Sequence, residues 1–379
     1  MKIAVISNNY PSSSRPYRGT FVYNFMQEIC KNNVDVTVLA PEPAHHYLLN
    51  KIKNKVSYGQ ELAQIFRFPY LSFSNKFSYR DFSAVYWGMK SMALSVRFNT
   101  QRFRIKTDLV YGHFFYSGLA TLELAKKLDV PAVLTIGESR IGEHTKYVSR
   151  EFIIQQMSRF SGIVAVSQEI KKILINKYNV PESRIKCIPN ASDSSLFYPR
   201  DRIAMRIKHG LPLDSFIVIF VGHFNEWKGV HRLIGALNLI DNVYGIFLGS
   251  GSPLGSNNKI LLAKAVANYQ VPEYLSAANL FVLPSRNEGS CNAISEALAC
   301  GLPVVSSDVP AIREQLDEDV SLLTDPLSEE SIASSIQTLL KDKPLYDKMC
   351  VAALKKAQIY SLRNKTKEMI GYFEEIIRR

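Results

Sequence analysis

Short apolar runs alternate with amphipathic stretches along the whole chain. Each apolar run spans only a few residues without polar alternation, which predicts a β-strand buried on both faces. The predicted strands are 2–7, 34–40, 108–112, 132–136, 162–166, 185–188, 216–222, 243–248, 280–284 and 303–307. The amphipathic stretches have helical spacing and include 20–32, 117–128, 167–178, 230–240, 292–300 and 328–341. Strands that alternate with helices predict parallel sheets wrapped by helices, the doubly wound α/β plan.

The alternation comes in two sets, and each set begins with a fresh strand. A polar, proline- and glycine-punctuated stretch near 190–213 separates them. We therefore expect two Rossmann-like domains that face a central cleft, residues 1–195 and residues 196–362. Because open α/β sheets bind ligands beyond the carboxyl ends of their strands, the functional motifs should directly follow strands.

The composition narrows the class of protein. With 379 residues and 46% apolar residues, the chain is neither disordered nor collagen-like. No uncharged apolar stretch approaches the roughly 18–20 residues of a membrane span. The chain starts directly on a predicted strand, without the apolar region of an export signal. Its five cysteines are scattered and form no C-x-x-C pair, which argues against disulfides and zinc. We expect a cytoplasmic protein.

Positive charge is concentrated in the first half of the chain. The net charge is +12, and residues 51–106 alone carry 11 Lys and Arg against Glu61 and Asp81. Aromatic residues are interleaved there, so the segment could face nucleic acid or an anionic membrane surface. A solvated basic face over an aromatic core is an equally good interpretation. No nucleic-acid-binding motif accompanies the charge, so we expect no nucleic acid and favour a membrane surface or an anionic acceptor.

The most specific stretch is PSRNEGSCNAISEALACGLPVVSSDVP at 284–310. It predicts a strand end, a loop, a helix from about Asn292 and a glycine stop. Glu288 lies in the loop and Glu296 in the early turns of the helix. The amides from Gly289 to Ala293 would face a ligand over the helix N-terminus, where anions bind. Two carboxylates flanking an anion site suit a nucleotide sugar, although spacing alone favours two solvated glutamates.

The whole segment closely resembles the retaining glycosyltransferases of family four, which have the GT-B fold. Further segments match that family in the right order along the chain: Tyr10-Pro11 with Arg18-Gly19-Thr20-Phe21-Val22, Ile188-Pro189-Asn190-Ala191-Ser192-Asp193 with Phe197-Tyr198-Pro199, Phe220-Val221-Gly222, Lys228-Gly229-Val230, Leu248-Gly249-Ser250-Gly251, and Val271-Pro272-Glu273-Tyr274-Leu275. The resemblance also implies that a last helix, 363–379, crosses back onto the N-terminal, acceptor-binding domain.

The resemblance implies a role for each matching residue. Glu288 would contact hydroxyls of the donor sugar, Glu296 the ribose hydroxyls and Lys228 the diphosphate. The implied donor-binding set is Gly19, Thr20, Gly222, His223, Lys228, Glu288, Gly289, Ser290, Cys291, Asn292, Ala293 and Glu296. A cation and a helix N-terminus would stabilise the charge of the departing nucleoside diphosphate. The family retains anomeric configuration and uses no essential metal, so we expect a nucleotide sugar as co-substrate and no cofactor.

Three positions depart from the family pattern. His223 stands where an arginine is usual, and it either binds the diphosphate as a cation or only packs. Ala191 replaces a glycine at the domain junction. After the strand at 132–136 many relatives carry a histidine, whereas this chain has Gly137-Glu138-Ser139-Arg140. Glu138 and His113 are therefore candidates beside Lys228 and Glu288 for the catalytic set, and Arg140 could bind an anionic group.

The expected function is transfer of a hexose from a nucleotide sugar, most simply a UDP-sugar. The acceptor would be a hydroxyl of a glycan or lipid-linked saccharide in cell-surface polysaccharide synthesis, with the inner membrane face as a possible location. Two alternatives stay open, a nucleotide-sugar epimerase of similar fold and a non-catalytic sugar-nucleotide-binding protein. A dehydrogenase is disfavoured because 249–255 does not fit the dinucleotide spacing. Asp317-Glu318-Asp319 and His45-His46 lack the partners of a metal site.

Overall fold

The computed structural model describes residues 1–16, 18–52, 61–73, 78–79, 82–138, 141–146 and 148–379. The chain forms two compact units. Unit 1 comprises Met1–Pro189 with Lys365–Arg379, and unit 2 comprises Asn190–Asn364. Each unit contains one parallel sheet with helices, so the two-domain α/β fold class predicted from the alternation is confirmed.

Unit 1 is built on a seven-stranded parallel sheet with the strand order β3-β2-β1-β6-β7-β8-β9. Its strands are β1 (Lys2–Ile6), β2 (Asp35–Pro43), β3 (Gln64–Tyr70), β4 (Ser78–Tyr79), β5 (Phe82–Ser83), β6 (Leu109–His113), β7 (Ala132–Ile136), β8 (Gly162–Ala165) and β9 (Ile185–Cys187). The strands β4 and β5 form a separate antiparallel pair. Its first six helices are α1 (Thr20–Lys31), α2 (Ala44–Ile52), α3 (Ala84–Phe103), α4 (Gly118–Leu128), α5 (Arg150–Met157) and α6 (Gln168–Tyr178).

Unit 2 is built on a six-stranded parallel sheet with the strand order β12-β11-β10-β13-β14-β15. Its strands are β10 (Phe216–Val221), β11 (Val243–Leu248), β12 (Ile260–Lys264), β13 (Leu280–Leu283), β14 (Val304–Ser307) and β15 (Ser321–Thr324). Its helices are α7 (Arg202–His209), α8 (Val230–Asn238), α9 (Val271–Ala277), α10 (Asn292–Ala299), α11 (Pro310–Gln315), α12 (Glu329–Lys341) and α13 (Lys343–Ala357). The last helix, α14 (Leu362–Arg378), lies in unit 1 from Lys365 onward.

The strand order places a topological switch point in each sheet. In unit 1 the chain winds from β1 outward to β3 and then returns to β6 on the other side of β1. In unit 2 it winds from β10 to β12 and returns to β13. Loops diverge at such points and leave a crevice at the carboxyl ends of the two strands. The loops after β1, β6, β10 and β13 are therefore where this fold places ligands.

All ten strands predicted from sequence are present, with ends that differ by a few residues. Sequence patterning missed the two-residue strands β4 and β5, and it also missed β3, β12 and β15, each of which is an edge strand of its sheet. An edge strand is partly solvated, and these three alternate or mix polar residues, as in QIFRFPY of β3. Without a continuous apolar run they carry a weaker signal than the central strands, which are buried on both faces.

The basic segment 51–106 is partly core and partly surface. Met89, Met92 and Val96 of α3 are buried, whereas Leu94 and Phe98 of the same helix are 67% and 68% exposed. The segment's residues 53–60, 74–77 and 80–81 lie outside the described residues. Within the described ranges, no helix is both long and apolar enough to span a membrane.

Candidate active site

The loop after β10 carries the lysine of the predicted phosphate site. Asn225 begins a single helical turn there, and its side-chain oxygen accepts the N–H of Lys228 at 2.9 Å. Gly229 follows with φ of +73°, and a Cβ at this position would lie 2.1 Å from the carbonyl oxygen of Pro284. Only glycine allows so close an approach. It thereby holds the Lys228 loop against the end of β13, on the other side of the switch point.

Lys228 and Glu288 form an ion pair across the switch point of unit 2. The Nζ of Lys228 lies 2.6 Å from Oε1 of Glu288, and the two side chains are 29% and 7% exposed. Burial opposes the charge on Lys228, but the charge of Glu288 and its hydrogen bond outweigh burial and raise the lysine pKa. The amine is therefore a cation held in place beside the predicted donor site.

The loop from Gly289 to Ala293 is fixed by a side chain that sequence analysis did not single out. Buried Gln315 of α11 accepts the N–H of Cys291 at 2.7 Å and donates to the carbonyl oxygen of the same residue at 3.2 Å. The Cys291 N–H is thus committed inside the protein. Among the described residues, no protein acceptor takes the N–H of Gly289 or of Asn292, the first residue of α10. These two amides remain for an anion at the helix N-terminus.

A second anchor holds the same loop from the junction motif. The backbone N–H of Asn190 donates to the Oγ of Ser290 at 3.0 Å, and the Asn190 side-chain amide donates to the Ser290 carbonyl at 2.9 Å. The asparagine of the sequence Ile188-Pro189-Asn190 is therefore a positioning residue for the loop before α10. Ser290 is buried, and its hydroxyl oxygen is the acceptor in this contact.

Glu296 lies in the second turn of α10, as the sequence pattern predicts. Within the described part of the chain, no hydrogen bond or ion pair holds its carboxylate. Burial raises its pKa to about 8, so the group is mostly protonated at neutral pH. A half-buried carboxyl without a protein partner is suited to bind a polar ligand, because its oxygens are not otherwise used.

Gly222 and His223 follow β10 directly. The Gly222 N–H donates to the carbonyl of Leu248 at 2.9 Å, which joins this loop to the loop after β11. The Nδ1 of the exposed His223 ring is hydrogen-bonded to the carbonyl oxygen of Ser250, so Nδ1 carries a proton. The ring is thereby oriented by its neighbouring loop, and its Nε2 is directed away from this contact.

In unit 1, His113 ends β6 and is 2% exposed. The hydroxyl of Tyr111 donates to Oγ1 of Thr135 at 2.8 Å, and the same oxygen lies 2.7 Å from Nδ1 of His113. The hydroxyl proton is used on Thr135, so Nδ1 donates its proton to the tyrosine oxygen and Nε2 is the acceptor. Burial, followed by the charge of Lys365, lowers the His113 pKa to about 3, and the ring is neutral.

Glu138 lies just after β7, and its side chain binds backbone N–H groups that follow β6 and β7. One carboxylate oxygen accepts the N–H of Phe115 at 2.6 Å, and the other accepts the N–H of Gly137 at 3.0 Å. Burial raises the Glu138 pKa to about 7 against these hydrogen bonds, which lower it. Phe114, between His113 and these contacts, has φ of +71°, a conformation that costs a bulky residue about 1–3 kcal/mol. Ser139 and Arg140 lie outside the described residues.

Lys365 is a residue of unit 1 that sequence reasoning missed. It lies in α14, its charge acts on His113, and its amine is 5.1 Å from the centre of the Phe25 ring. Burial lowers its pKa to about 8. No local motif marks it, because it reaches the sheet only through the return of α14 to unit 1.

Gly19 and Thr20 form the start of α1. Gly19 has φ of +71°, and a Cβ there would lie 2.0 Å from the carbonyl oxygen of Asn9. The next residue, Phe21, places its ring 5.8 Å from the ring of His113 and 6.0 Å from that of Phe114. The structure thus brings the first loop and His113 together in unit 1, and Lys228, Glu288 and the α10 loop together in unit 2.

The sequence matches two family models that together span most of the chain. Residues 19–196 match the model described as Glycosyltransferase Family 4, and residues 201–356 match the model described as Glycosyl transferases group 1. A protein of Bacillus subtilis (strain 168), named as the teichuronic acid biosynthesis glycosyltransferase TuaC, is 29% identical over 355 residues. That match covers 89% of this chain and 88% of the relative.

Solved structures share the fold over the full length. Sucrose-phosphate synthase from Thermosynechococcus elongatus superimposes with a TM-score of 0.82 at 17% identity and covers 100% of this chain and 99% of its own. HepE of Anabaena, solved with UDP and glucose, has a TM-score of 0.74 at 20% identity, with coverage of 99% and 100%. At these identities the likeness establishes the fold alone.

Proposed function

The chain belongs to the family 4 glycosyltransferases and has their GT-B fold, and from that premise we propose that it transfers a hexose from a UDP-sugar with retention of configuration. The acceptor is a hydroxyl of a glycan or lipid-linked saccharide used in cell-surface polysaccharide synthesis. The UDP part is supported by HepE, which was solved with UDP and with UDP-glucose. The surface-polymer part is supported by the name of TuaC.

The observation that carries the proposal is the cation beside an open helix N-terminus. Lys228 is held by Glu288 at 2.6 Å, and the amides of Gly289 and Asn292 precede and begin α10. A nucleoside diphosphate presents two phosphates, which a lysine and helix-terminal amides bind together. As the glycosidic bond breaks, negative charge grows on the leaving phosphate, and these preorganised groups stabilise it.

The two glutamates bind the remaining two parts of the donor, the ribose and the transferred sugar. Glu296 accepts hydrogen bonds from the ribose hydroxyls, for which its unpartnered carboxyl is suited. Glu288 uses the oxygen that Lys228 does not hold to contact hydroxyls of the transferred sugar. Lys228 therefore has two tasks, because it binds the diphosphate and also holds the Glu288 side chain in place. The positive charge for catalysis comes from Lys228 and the amides, and we propose no metal requirement.

Retention follows from attack on the face from which the diphosphate departs. The acceptor oxygen forms a bond to the anomeric carbon as the bond to the phosphate oxygen breaks, and the leaving phosphate receives the acceptor proton. No protein nucleophile is needed in this step. In unit 1, neutral His113 and Glu138 shape the wall where the acceptor binds, and the pKa of Glu138 near 7 allows it to hold or release a proton.

The proposal extends to a peripheral membrane location. Leu94 and Phe98 are exposed on the same face of α3 as Arg97, since positions three and four apart share a helix face. Such an apolar and basic face is suited to an anionic membrane surface. Flotation with anionic and neutral vesicles tests this point, with Phe98→Ser compared with Leu48→Ser, an exposed leucine on α2. Equal flotation with both vesicle types contradicts it.

Calorimetric titration with UDP, GDP and ADP tests the donor class. We expect UDP to bind most tightly, and its affinity to fall in Lys228→Ala and Glu296→Ala. Incubation with UDP-sugars and no acceptor then tests for slow donor hydrolysis, which a non-catalytic binding protein lacks. An epimerase converts the donor sugar without any acceptor, so product analysis separates that alternative. No binding of any nucleoside diphosphate overturns the proposal.

A further inference from the structure

Three arginines of unit 1 lie together at the carboxyl ends of β1, β2 and β3. Arg15 and Arg18 belong to the loop after β1, and Arg67 lies in β3; we call these three residues the arginine cluster. Their charges act on one another, since the charges of both Arg18 and Arg67 lower the pKa of Arg15. This is the edge of the sheet where an α/β fold binds its ligands.

One member of the cluster, Arg67, is held by protein groups at both of its terminal nitrogens. Nη1 of Arg67 lies 2.9 Å from Oε1 of Glu42, and its Nη2 donates to the carbonyl oxygen of Pro11 at 2.7 Å. Glu42 is 2% exposed, and its other carboxylate oxygen accepts the side-chain amide of Asn50. Each oxygen of Glu42 thus already accepts a hydrogen bond from a residue other than Arg15.

Arg15 is in the opposite situation. Its Nε and Nη2 atoms are buried and have no hydrogen-bond partner in the described part of the protein. Burial, followed by the charge of Arg18, lowers its pKa. A buried guanidinium is stable only when its charge and its N–H groups are satisfied. The Nδ1 of His46 is likewise buried without a partner, and the charge of Arg15 acts on that ring.

The charges of the cluster do not balance. Among the described residues, Glu42 is the carboxylate that forms an ion pair with the cluster, through Arg67, while His46 is kept neutral because burial and the charge of Arg15 lower its pKa. Glu61 is exposed, and its charge raises the pKa values of the neighbouring Tyr10 and Tyr23. Arg18 is exposed and donates from its Nε to the uncharged side chain of Asn9 at 2.9 Å, and it forms no ion pair with a described carboxylate. Counted over the described residues, the site therefore has more positive than negative charge, and it has buried Arg15 donors without an acceptor.

We propose that the arginine cluster binds an oxyanion carried by the acceptor, either the carboxylate of a uronic acid or a phosphate. The inference rests on the proposed function, because it assigns unit 1 the acceptor. Nε and Nη2 of a guanidinium form a fork that matches two oxygens of one carboxylate or phosphate. Arg15 supplies this fork, and Arg18 adds positive charge. The ion pair of Arg67 with Glu42 holds the neighbouring backbone of Pro11 in place. The enzyme thereby selects an anionic acceptor over a neutral one.

The test is calorimetric titration of the full chain with D-glucuronate, inorganic phosphate and, as the neutral match, D-glucose. The titrations are made with saturating UDP, so that the Lys228 site is filled. We expect one of the two anions to bind and glucose not to bind. Arg15→Gln should weaken that anion at least tenfold, whereas Arg150→Gln, at an exposed position in α5, should leave it unchanged. The anion that binds identifies the source, a uronate or a phosphate.

Two further measurements keep this test independent of folding and of the donor. Arg15→Gln removes an unsatisfied buried cation, so its Tm should match or exceed that of the wild type. The anion titrations are repeated without UDP on Lys228→Ala, where binding that survives belongs to the arginine cluster. Failure of UDP to bind contradicts the proposed function and leaves this second comparison intact. Equal affinity of Arg15→Gln and wild type for both anions, or no binding of either, overturns the inference.

Discussion

The amine of Lys228 lies 2.6 Å from a carboxylate oxygen of Glu288, and the two residues lie on opposite sides of the switch point of unit 2. The pair joins the loop after β10 to the loop after β13. Each loop carries one partly or fully buried charge, and the charge on the other loop is its partner. The pair holds the cation of Lys228, which is only 29% exposed, at the carboxyl ends of the strands. In the proposed function, donor binding and the local structure are thus linked through this one contact.

Replacement of Lys228 by alanine should raise the Kd for UDP about 10- to 100-fold, because a hydrogen bond to a charged phosphate contributes about 1.5–3 kcal/mol. The variant also leaves Glu288, at 7% exposure, without its partner, so the Tm should fall. Calorimetry with UDP and thermal unfolding measure the two effects.

Lys208→Ala is the matched control, since Lys208 pairs with Glu273 at 2.7 Å in the same unit. It should leave UDP affinity unchanged. The double variant Lys228→Ala with Glu288→Gln removes the uncompensated carboxylate and should recover much of the Tm without recovering UDP affinity. Recovery of both would mean that Lys228 acts on the donor only through folding.

From the raised pKa of Glu296 we expect a proton to be released when UDP binds. Its pKa is about 8 in the free protein, so at pH 7 the carboxyl is mostly protonated. A carboxyl that accepts two ribose hydroxyls must lose its proton, and UDP binding at pH 7 should release about one proton per site. Titrations in buffers of different ionisation enthalpy measure this number. Glu296→Gln should abolish that part of the release and weaken UDP roughly tenfold.

The same raised pKa has a defined effect on stability. The folded state holds the Glu296 proton more tightly than the unfolded state, so stability falls as pH rises from the ordinary value of 4.5 to about 8. Thermal unfolding at pH 6 and pH 9 should therefore show a larger drop for wild type than for Glu296→Gln. Exposed Glu318→Gln serves as the control. An unaltered drop in Glu296→Gln contradicts the assignment.

Sequence patterning predicted the central strands because each is a continuous apolar run buried on both faces. It failed at β3, β12 and β15, where one side of the strand has no neighbour and polar residues are tolerated. The candidate site divides in the same manner. Lys228, Glu288 and Glu296 lie in motifs with fixed spacing and were predicted to be site residues, although their ion-pair contact is visible only in three dimensions.

The residues that sequence reasoning missed act from a distance along the chain. Gln315 reaches Cys291 from 24 residues away, and Lys365 reaches His113 through a helix that ends the chain. Neither residue has a local pattern that separates it from a solvated glutamine or lysine. Arg15 is similar, because only the burial of its guanidinium nitrogens distinguishes it from its neighbour Arg18. Such residues are found by asking which polar atoms are buried and what satisfies them.

Gln315 should be required for the shape of the donor loop. Gln315→Leu leaves the N–H of Cys291 without a partner in a buried position, at a cost of about 1–3 kcal/mol, and removes one of the donors to the Cys291 carbonyl, which keeps its contact with the N–H of Ser295. We expect the Tm to fall by several degrees and the KM for the donor to rise. Gln315→Glu keeps the acceptor for the Cys291 N–H, so it should lose less donor affinity than leucine. Equal losses for the two variants contradict a positioning role.

His113 predicts how unit 1 responds to acid. Its pKa is about 3 in the folded protein against an ordinary 6.5. Between these two pH values the unfolded state binds a proton on this ring and the folded state does not. The stability this group contributes is therefore present above pH 6.5 and is lost as pH falls toward 3. Between pH 6.5 and pH 5 the loss is about 1–2 kcal/mol, which is roughly 3–6 °C in Tm for a unit of this size.

His113→Asn retains an amide donor toward Tyr111 but cannot take up a proton in this range. Its Tm should change less between pH 6.5 and pH 5 than that of wild type, whereas exposed His231→Asn should behave as wild type. Glu138 has a slope of opposite sign, since its raised pKa makes stability fall as pH rises toward 7. That slope is common to all three proteins and cancels in the comparison. Equal acid sensitivity of His113→Asn and wild type would mean that the ring takes up a proton in the folded state, and its Nε2 would then be a donor toward the acceptor site.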